Sequence, residues 1–221
     1  MSAVQKIKVR RATVDDLPVM QELVTYAYIQ KGYLTPLGDK ITYPDLSDKR
    51  HVALVATHHN QVVGTITVSF GGPDDLPISD EFPYEIHEAW HHAKQGNLAY
   101  VGRLAVLEGF RDEFVTPLLF RRVALYCLLR RAKAVLCIVN PKHKGFYIRR
   151  GFESINSSNS PEGLLNAPAA FLAFYREKVS LISIFKKWIG QKKPADTSSL
   201  PRPPAPSYAP PFDHIPVSPL F

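Results

Sequence analysis

Two hydrophobic periods take turns along the chain, and their order predicts an architecture. Lys6 to Arg11 (KIKVRR) alternates polar and apolar residues, the period of a half-buried strand. Thr13 can cap a following helix, and Asp15 and Asp16 sit where the positive end of its dipole would be. That helix runs through MQELVTYAYIQ and stops at Gly32. Val52–Thr57 (VALVAT) and Val62–Phe70 (VVGTITVSF) are β-rich runs separated by HHNQ, which predicts an antiparallel hairpin. Gly71, Gly72 and Pro73 break the second run. Ser79–Lys94 reads as helical and Gly96 ends it. Leu98–Leu107 follows as a strand, Glu113–Arg131 as a long helix, and Ala134–Asn140 as a fully buried strand. His143–Arg150 is a short helix and Ala167–Phe174 (APAAFLAF) a final strand. A hairpin feeding a strand-helix-strand unit predicts an α/β (α+β) fold, a mixed sheet with helices on both faces.

Beyond Tyr175 the pattern changes. In SLISIFKKWIGQKK (180–193) the residues Leu181, Ile182, Ile184, Phe185, Trp188 and Ile189 fall within roughly 160° of a helix circumference, with Lys186 and Lys187 outside it. Such an amphipathic helix, at about 177–193, has three readings: packing on the sheet, lining an acyl tunnel, or lying on a membrane, which Trp188 and the lysines would favour. From residue 194 onward the chain is dense in proline and reads as a disordered tail. The expected organisation is therefore one domain over 1–193 and a tail over 194–221.

Composition narrows the class. A hydrophobic share of 45% suits a globular core, and no apolar run reaches the roughly 20 residues of a membrane span. The start lacks an apolar signal region, so a cytoplasmic location is the expectation, with membrane association through the amphipathic segment. Cys127 and Cys137 lie inside apolar runs, which points to packing rather than a disulfide or metal. The net charge of +7 favours an anionic partner. Nucleic acid ranks low, because no recognised module accompanies the charge.

The segment from Asn97 to Phe152 carries the candidate chemistry. VGRLAVLEGFR, then a helix, then NPKHKGFYIRRGF resembles the GNAT acyltransferase superfamily. The resemblance implies a mostly antiparallel sheet of six or seven strands, with a central parallel pair splayed around the donor's pantetheine arm. It also implies a bulge near Arg103 to Val106, where the backbone of Leu104, Ala105 and Val106 would face the thioester. Donors there would stabilise the tetrahedral oxyanion. The tyrosine of the family pattern falls on Tyr147, where a phenol can protonate the leaving thiolate; packing beside Phe146 is the alternative. Asn140, Lys142, His143 and Arg111 fall at donor-binding positions.

Most of the superfamily binds acetyl-CoA through a glycine-rich turn at the start of the long helix. Here Arg111 matches that turn, but Phe114 and Thr116 stand where glycine is expected and Pro117 lacks an N–H. Asp112 and Glu113 add negative charge. A carrier-protein donor, with one phosphodiester on its 4'-phosphopantetheine arm, suits this turn better than coenzyme A. Two subfamilies use such donors, the acyl-homoserine-lactone synthases and the N-acyl amino acid synthases. VRRATVDD, TYAYIQKGYL, VGTITVSFGGPDDLPISDEF, GRLAV, NPKHKGFY and NAPAAFLAF, in that order, resemble the second, of the long-chain N-acyltyrosine synthase type. Both subfamilies favour an acid three residues before the arginine of the GRLAV strand, a position held here by Tyr100. Glu81, Glu85 and Glu108 are the candidate replacement bases, Glu81 first, with a water-linked route beside them.

Arg103 interrupts an apolar strand, and a buried guanidinium requires an anionic partner: a substrate carboxylate, the donor, or Asp80 or Glu81. Arg122, Arg130 and Lys133 share one side of the long helix and, with Lys142, Lys144, Arg149 and Arg150, are expected to dock an acidic carrier protein. His87-Glu-Ala-Trp-His91 matches H-E-x-x-H, yet three fixed letters in a chain with eight histidines carry little weight, and no metal is expected. The resemblance therefore implies fatty acyl transfer from acyl carrier protein to the α-amine of an amino acid. Two alternatives stay open: an acyl-CoA-dependent enzyme acting on another amine, and a catalytically weak relative that binds acyl carriers or lipids.

Overall fold

A computed structural model describes residues 7–34, 41–110, 115–155 and 169–177. The expected amphipathic helix at about 177–193, the tail over 194–221 and the turn residues Arg111 to Phe114 lie outside the described residues. Among the described residues, seven strands form one sheet in the order β1-β2-β3-β4-β5-β7-β6. They are β1 (Lys8–Arg11), β2 (His51–His58), β3 (Gln61–Gly71), β4 (Leu98–Val106), β5 (Ala134–Val139), β6 (Glu153–Ser154) and β7 (Ala170–Tyr175). Every pairing is antiparallel except that of β4 with β5. The helices are α1 (Leu17–Gln30), α2 (Pro83–His92), α3 (Val115–Leu129) and α4 (Pro141–Ile148).

Strand alternation assigns the helices to faces. Ala53 and Val55 of β2 pack with Met20 of α1, while Val52, Leu54 and Ala56 share a core with Leu119, Val123 and Cys127 of α3. On β4, Leu98 and Tyr100 pack toward Ile86 and Ala89 of α2, and Ala99 and Val101 toward α3. The sheet is thus covered on both faces, as the sequence pattern predicts.

Several boundaries differ from the sequence expectation, each for a local reason. The hairpin turn is two residues, not four: His59 and Asn60 both adopt positive φ (50° and 62°), the backbone of a tight turn matched to strand twist. α2 starts at Pro83 rather than Ser79, and α4 at Pro141 rather than His143, because proline is favoured at the first helical position. Asn140 caps α4 by accepting from the Lys142 N–H at 3.0 Å. β5 is only partly buried, since Val135, Ile138 and Val139 border a cavity. β6, at two residues, is too short for any period to reveal.

At the first helical turn Thr13 stands at the N-cap, as expected, and Asp16 supplies the reciprocal side-chain contact of a capping box. Thr13 donates through its N–H (2.7 Å) and hydroxyl (3.1 Å) to the Asp16 carboxylate, which also takes a two-pronged contact from Arg10 (2.6 and 2.8 Å). Arg10 foremost holds the Asp16 carboxyl down at about 2, against burial that opposes it. A depressed pKa contributes stability above the unfolded value near 3.8 that is lost as pH falls through 2. Asp16→Asn is expected to cost about 1–2 kcal/mol at pH 7, a figure reduced for the half-exposed arginine, and almost nothing at pH 2. Urea unfolding at the two pH values measures this; equal losses would exclude the ionic origin.

Candidate active site

The parallel ladder between β4 and β5 is short, running from Leu98↔Ala134 to Val101↔Cys137. Both strands continue past it while paired on their outer sides only, β4 with β3 as far as Val106 and β5 with β7 as far as Val139. The strands therefore splay, as expected. On β4 the departure coincides with a bulge: Thr65 faces Ala105 and Thr67 faces Gly102, so β3 spends two residues where β4 spends three. Arg103, at the bulge, has φ +52°, a left-handed conformation that costs a non-glycine residue about 1–2 kcal/mol.

The splay opens into a cavity of about 520 Å³ lined from both faces of the sheet. From the α1 side come Ala27, Tyr28, Lys31 and Tyr33; from the α3 side Thr116, Pro117, Phe120, Val123, Ala124 and Cys127. α4 and the residues flanking it supply Asn140, His143, Phe146, Tyr147 and Arg150, and β4 supplies Tyr100 to Val106. No carboxylate is among these lining residues.

Of the expected site residues, the cavity gathers Tyr147, Arg103, Leu104, Ala105, Val106, Asn140 and His143. Tyr147 sits in an aromatic nest, with ring centroids 5.2 Å from Phe146, 5.4 Å from Phe152 and 6.5 Å from Phe120. Burial pushes its phenol well above the ordinary value, with the Arg150 charge opposing. Such a phenol keeps its proton and can donate it to a strong base such as a departing thiolate.

Arg103 pairs with neither Asp80 nor Glu81. Its Nε donates to the Thr42 carbonyl at 2.7 Å, and its guanidinium carbon lies 5.5 Å from the centroid of the Tyr43 ring. The loop leading into β2 therefore holds the side chain without neutralising it, because its partners are a carbonyl and an aromatic face. Among the described residues it makes no ion pair. A guanidinium without an ion pair, beside a cavity with no carboxylate among its described lining residues, is a natural anion site.

The remaining expectations fall elsewhere. Lys142 is exposed on α4 outside the lining, one residue before His143. Glu81 and Glu108 are exposed and Glu85 is on the buried side of α2; none of the three borders the cavity. Arg122, Arg130 and Lys133, expected to dock a carrier protein, make contacts away from the cavity. Arg122 reaches the Val9 carbonyl at 3.4 Å, Arg130 donates to the Lys49 carbonyl at 2.8 Å and lies over Phe70, and Lys133 lies 3.9 Å from Glu177. Arg130 and Lys133 follow the C-terminal end of α3, whereas Thr116, Pro117 and Phe120, near its start, line the cavity. His87 and His91 lie on the exposed side of α2, and the described residues hold no cluster of three ligands suited to a metal.

Tyr28, Lys31 and Tyr33 are lining residues that the sequence reading did not single out. The signal present was faint, two tyrosines flanking a helix-ending glycine, Gly32, whose φ is +71°. Burial pushes the Tyr28 phenol up to about 12, against the nearby Arg103 charge.

The fold is shared with solved acyltransferases. FeeM, an N-acyl amino acid synthase from uncultured soil microbes, superposes with a TM-score of 0.64 at 22% identity, over 85% of this chain and 96% of that one. The AHL synthase LasI gives 0.55 at 14% identity over 77% and 90%. Arabidopsis thaliana NAA60, solved with acetyl-CoA, gives 0.54 at 16% identity over 78% and 99%. No curated protein sequence matches the chain. The splayed pair, the bulge and these neighbours define the fold of the GNAT acyltransferases. The family model of the N-acyl amino acid synthase FeeM matches residues 20–174, most of the chain. The chain belongs to that family and is an N-acyltransferase.

Proposed function

We propose that the enzyme moves a fatty acyl group from an acyl carrier protein thioester to the α-amine of an amino acid. The observation that carries this reading is the mostly apolar cavity between the splayed strands, with an unneutralised Arg103 among its polar groups. In this reading the pantetheine arm lies between β4 and β5, and the acyl chain packs against Val123, Cys127 and Val135. The amino acid places its carboxylate on Arg103. Its ammonium loses a proton through water, because Glu81 stands outside the lining. The amine then attacks the thioester carbonyl, whose oxygen meets the backbone of Leu104, Ala105 and Val106. Collapse breaks the C–S bond as Tyr147 gives its proton to sulfur, and Tyr147 regains one from the amide nitrogen through water.

The carrier reading draws support from the start of α3, where Thr116 and Pro117 border the cavity in place of a bare glycine turn. Exposed Lys142 and Arg149 on and after α4, beside the lining residues His143 and Arg150, offer a basic rim for a carrier protein and its phosphodiester. Docking through that rim weakens with salt. The test offers decanoyl-carrier protein and decanoyl-CoA, each with mixed amino acids, and looks for N-acyl products by mass spectrometry. N-Acyl amino acids formed mainly from the carrier thioester are expected. Preferred use of decanoyl-CoA would overturn the donor assignment.

A further inference from the structure

Tyr100 departs from the acid expected at its position, and its surroundings suit a different task. The residue is 8% exposed, packed toward α2, and borders the cavity. Its ring runs forward along β4 toward the bulge. A Cβ placed on Gly102 would stand 2.9 Å from the Tyr100 hydroxyl oxygen and 3.1 Å from ring carbons Cε1 and Cζ. Only glycine leaves that space, so the phenol oxygen rests beside Gly102, the residue before left-handed Arg103. The hydroxyl makes no hydrogen bond with any described residue. Tyr43, by contrast, spends its hydroxyl on the Met20 carbonyl at 3.3 Å.

We infer that the Tyr100 hydroxyl is a catalytic hydrogen-bond donor to the thioester carbonyl oxygen, acting with the bulge backbone, and that Gly102 exists to let it reach there. This rests on the acyl-transfer reading above. When the amine forms the new C–N bond, the carbonyl π pair moves onto oxygen, and that oxygen accepts from Tyr100. The proton stays on the phenol throughout. Collapse restores the C=O bond and expels the thiolate, which is protonated by Tyr147. Burial holds the Tyr100 phenol well above its ordinary pKa, so it remains a donor and does not serve as the base. A neutral donor fixed in place before the reaction gains strength as charge develops on its acceptor.

Tyr100→Phe keeps the ring and removes the donor. Expected is a fall in kcat of about 100-fold with little change in KM and an unchanged unfolding midpoint. Gly102→Ala, which pushes the phenol away, is expected to show a similar loss, and the double variant to be no worse than the poorer single one. A second readout needs no acceptor. The carbonyl stretch of 13C-labelled decanoyl-pantetheine thioester, bound to each protein, should move to higher frequency in Y100F than in the parent enzyme. An unchanged stretch, or a kcat equal to the parent's, overturns the inference. A parent enzyme that makes no N-acyl amino acid while the stretch difference persists would instead sink the amino-acid acceptor and leave the role of Tyr100 standing.

Discussion

Tyr147→Phe is expected to lower kcat by about 10²–10³-fold while leaving the fold and the KM for both substrates nearly unchanged. The reason is the division between ring and hydroxyl. Phe120, Phe146 and Phe152 surround the ring edge-on, and phenylalanine preserves all three contacts. What is lost, in the proposed reaction, is the proton given to sulfur. A pKa held above the usual range means the phenol stays protonated across ordinary assay conditions, so the parent enzyme should lose no activity through this group as pH rises to 9. The deficit of the variant should shrink with a donor whose thiol is more acidic, such as an aryl thioester, because that leaving group needs no proton. An equal deficit with both donors would remove Tyr147 from the proton path.

Arg103 is expected to have the second large effect, expressed in the acceptor. Arg103→Ala should raise the KM for the amino acid by about 10–100-fold, the loss of one charge-assisted contact of roughly 1.5–3 kcal/mol. Because Arg103 occupies a left-handed conformation, backbone and side chain must be separated. Arg103→Gly removes the same guanidinium while relaxing the backbone. If alanine and glycine variants lose acceptor affinity alike, the guanidinium is responsible; if glycine restores it, the alanine defect came from a distorted bulge. The donor KM serves as the control and should move in neither variant.

How far the sequence could be read depended on whether the cause was local. β2, β3, β4 and α3 were legible because each carries its own hydrophobic period over several residues. Arg103 was legible as a charge inside an apolar strand. Its partner was not: Thr42 lies 61 positions earlier in a loop without periodicity. The same holds for Tyr28 and Tyr33, whose place at the cavity follows from how α1 crosses the sheet. For Arg130 and Lys133 the helical spacing did not apply: α3 ends at Leu129 and Arg131 turns left-handed (φ +55°), so both follow the helix, where Lys49, Phe70 and Glu177 engage them. Proline at the first turn of α2 and α4 was a readable signal outweighed by the polar stretches around it. Tyr100 stood out as a departure from a family pattern, while its meaning came from Gly102, two residues on and on the same face of the strand.

The short β4–β5 ladder also bears on the order of events. Because the opening it leaves is lined from both faces of the sheet, donor and acceptor need not share one doorway. Cys127 and Cys137, the thiols at its wall, are held protonated by burial, Cys127 up at about 12, and are poorly suited to carry the acyl group between substrates. In the proposed reaction, with direct attack of the amine on the thioester, both substrates are then resident together. Initial-rate plots at several fixed acceptor concentrations should give intersecting lines rather than the parallel set of a double displacement.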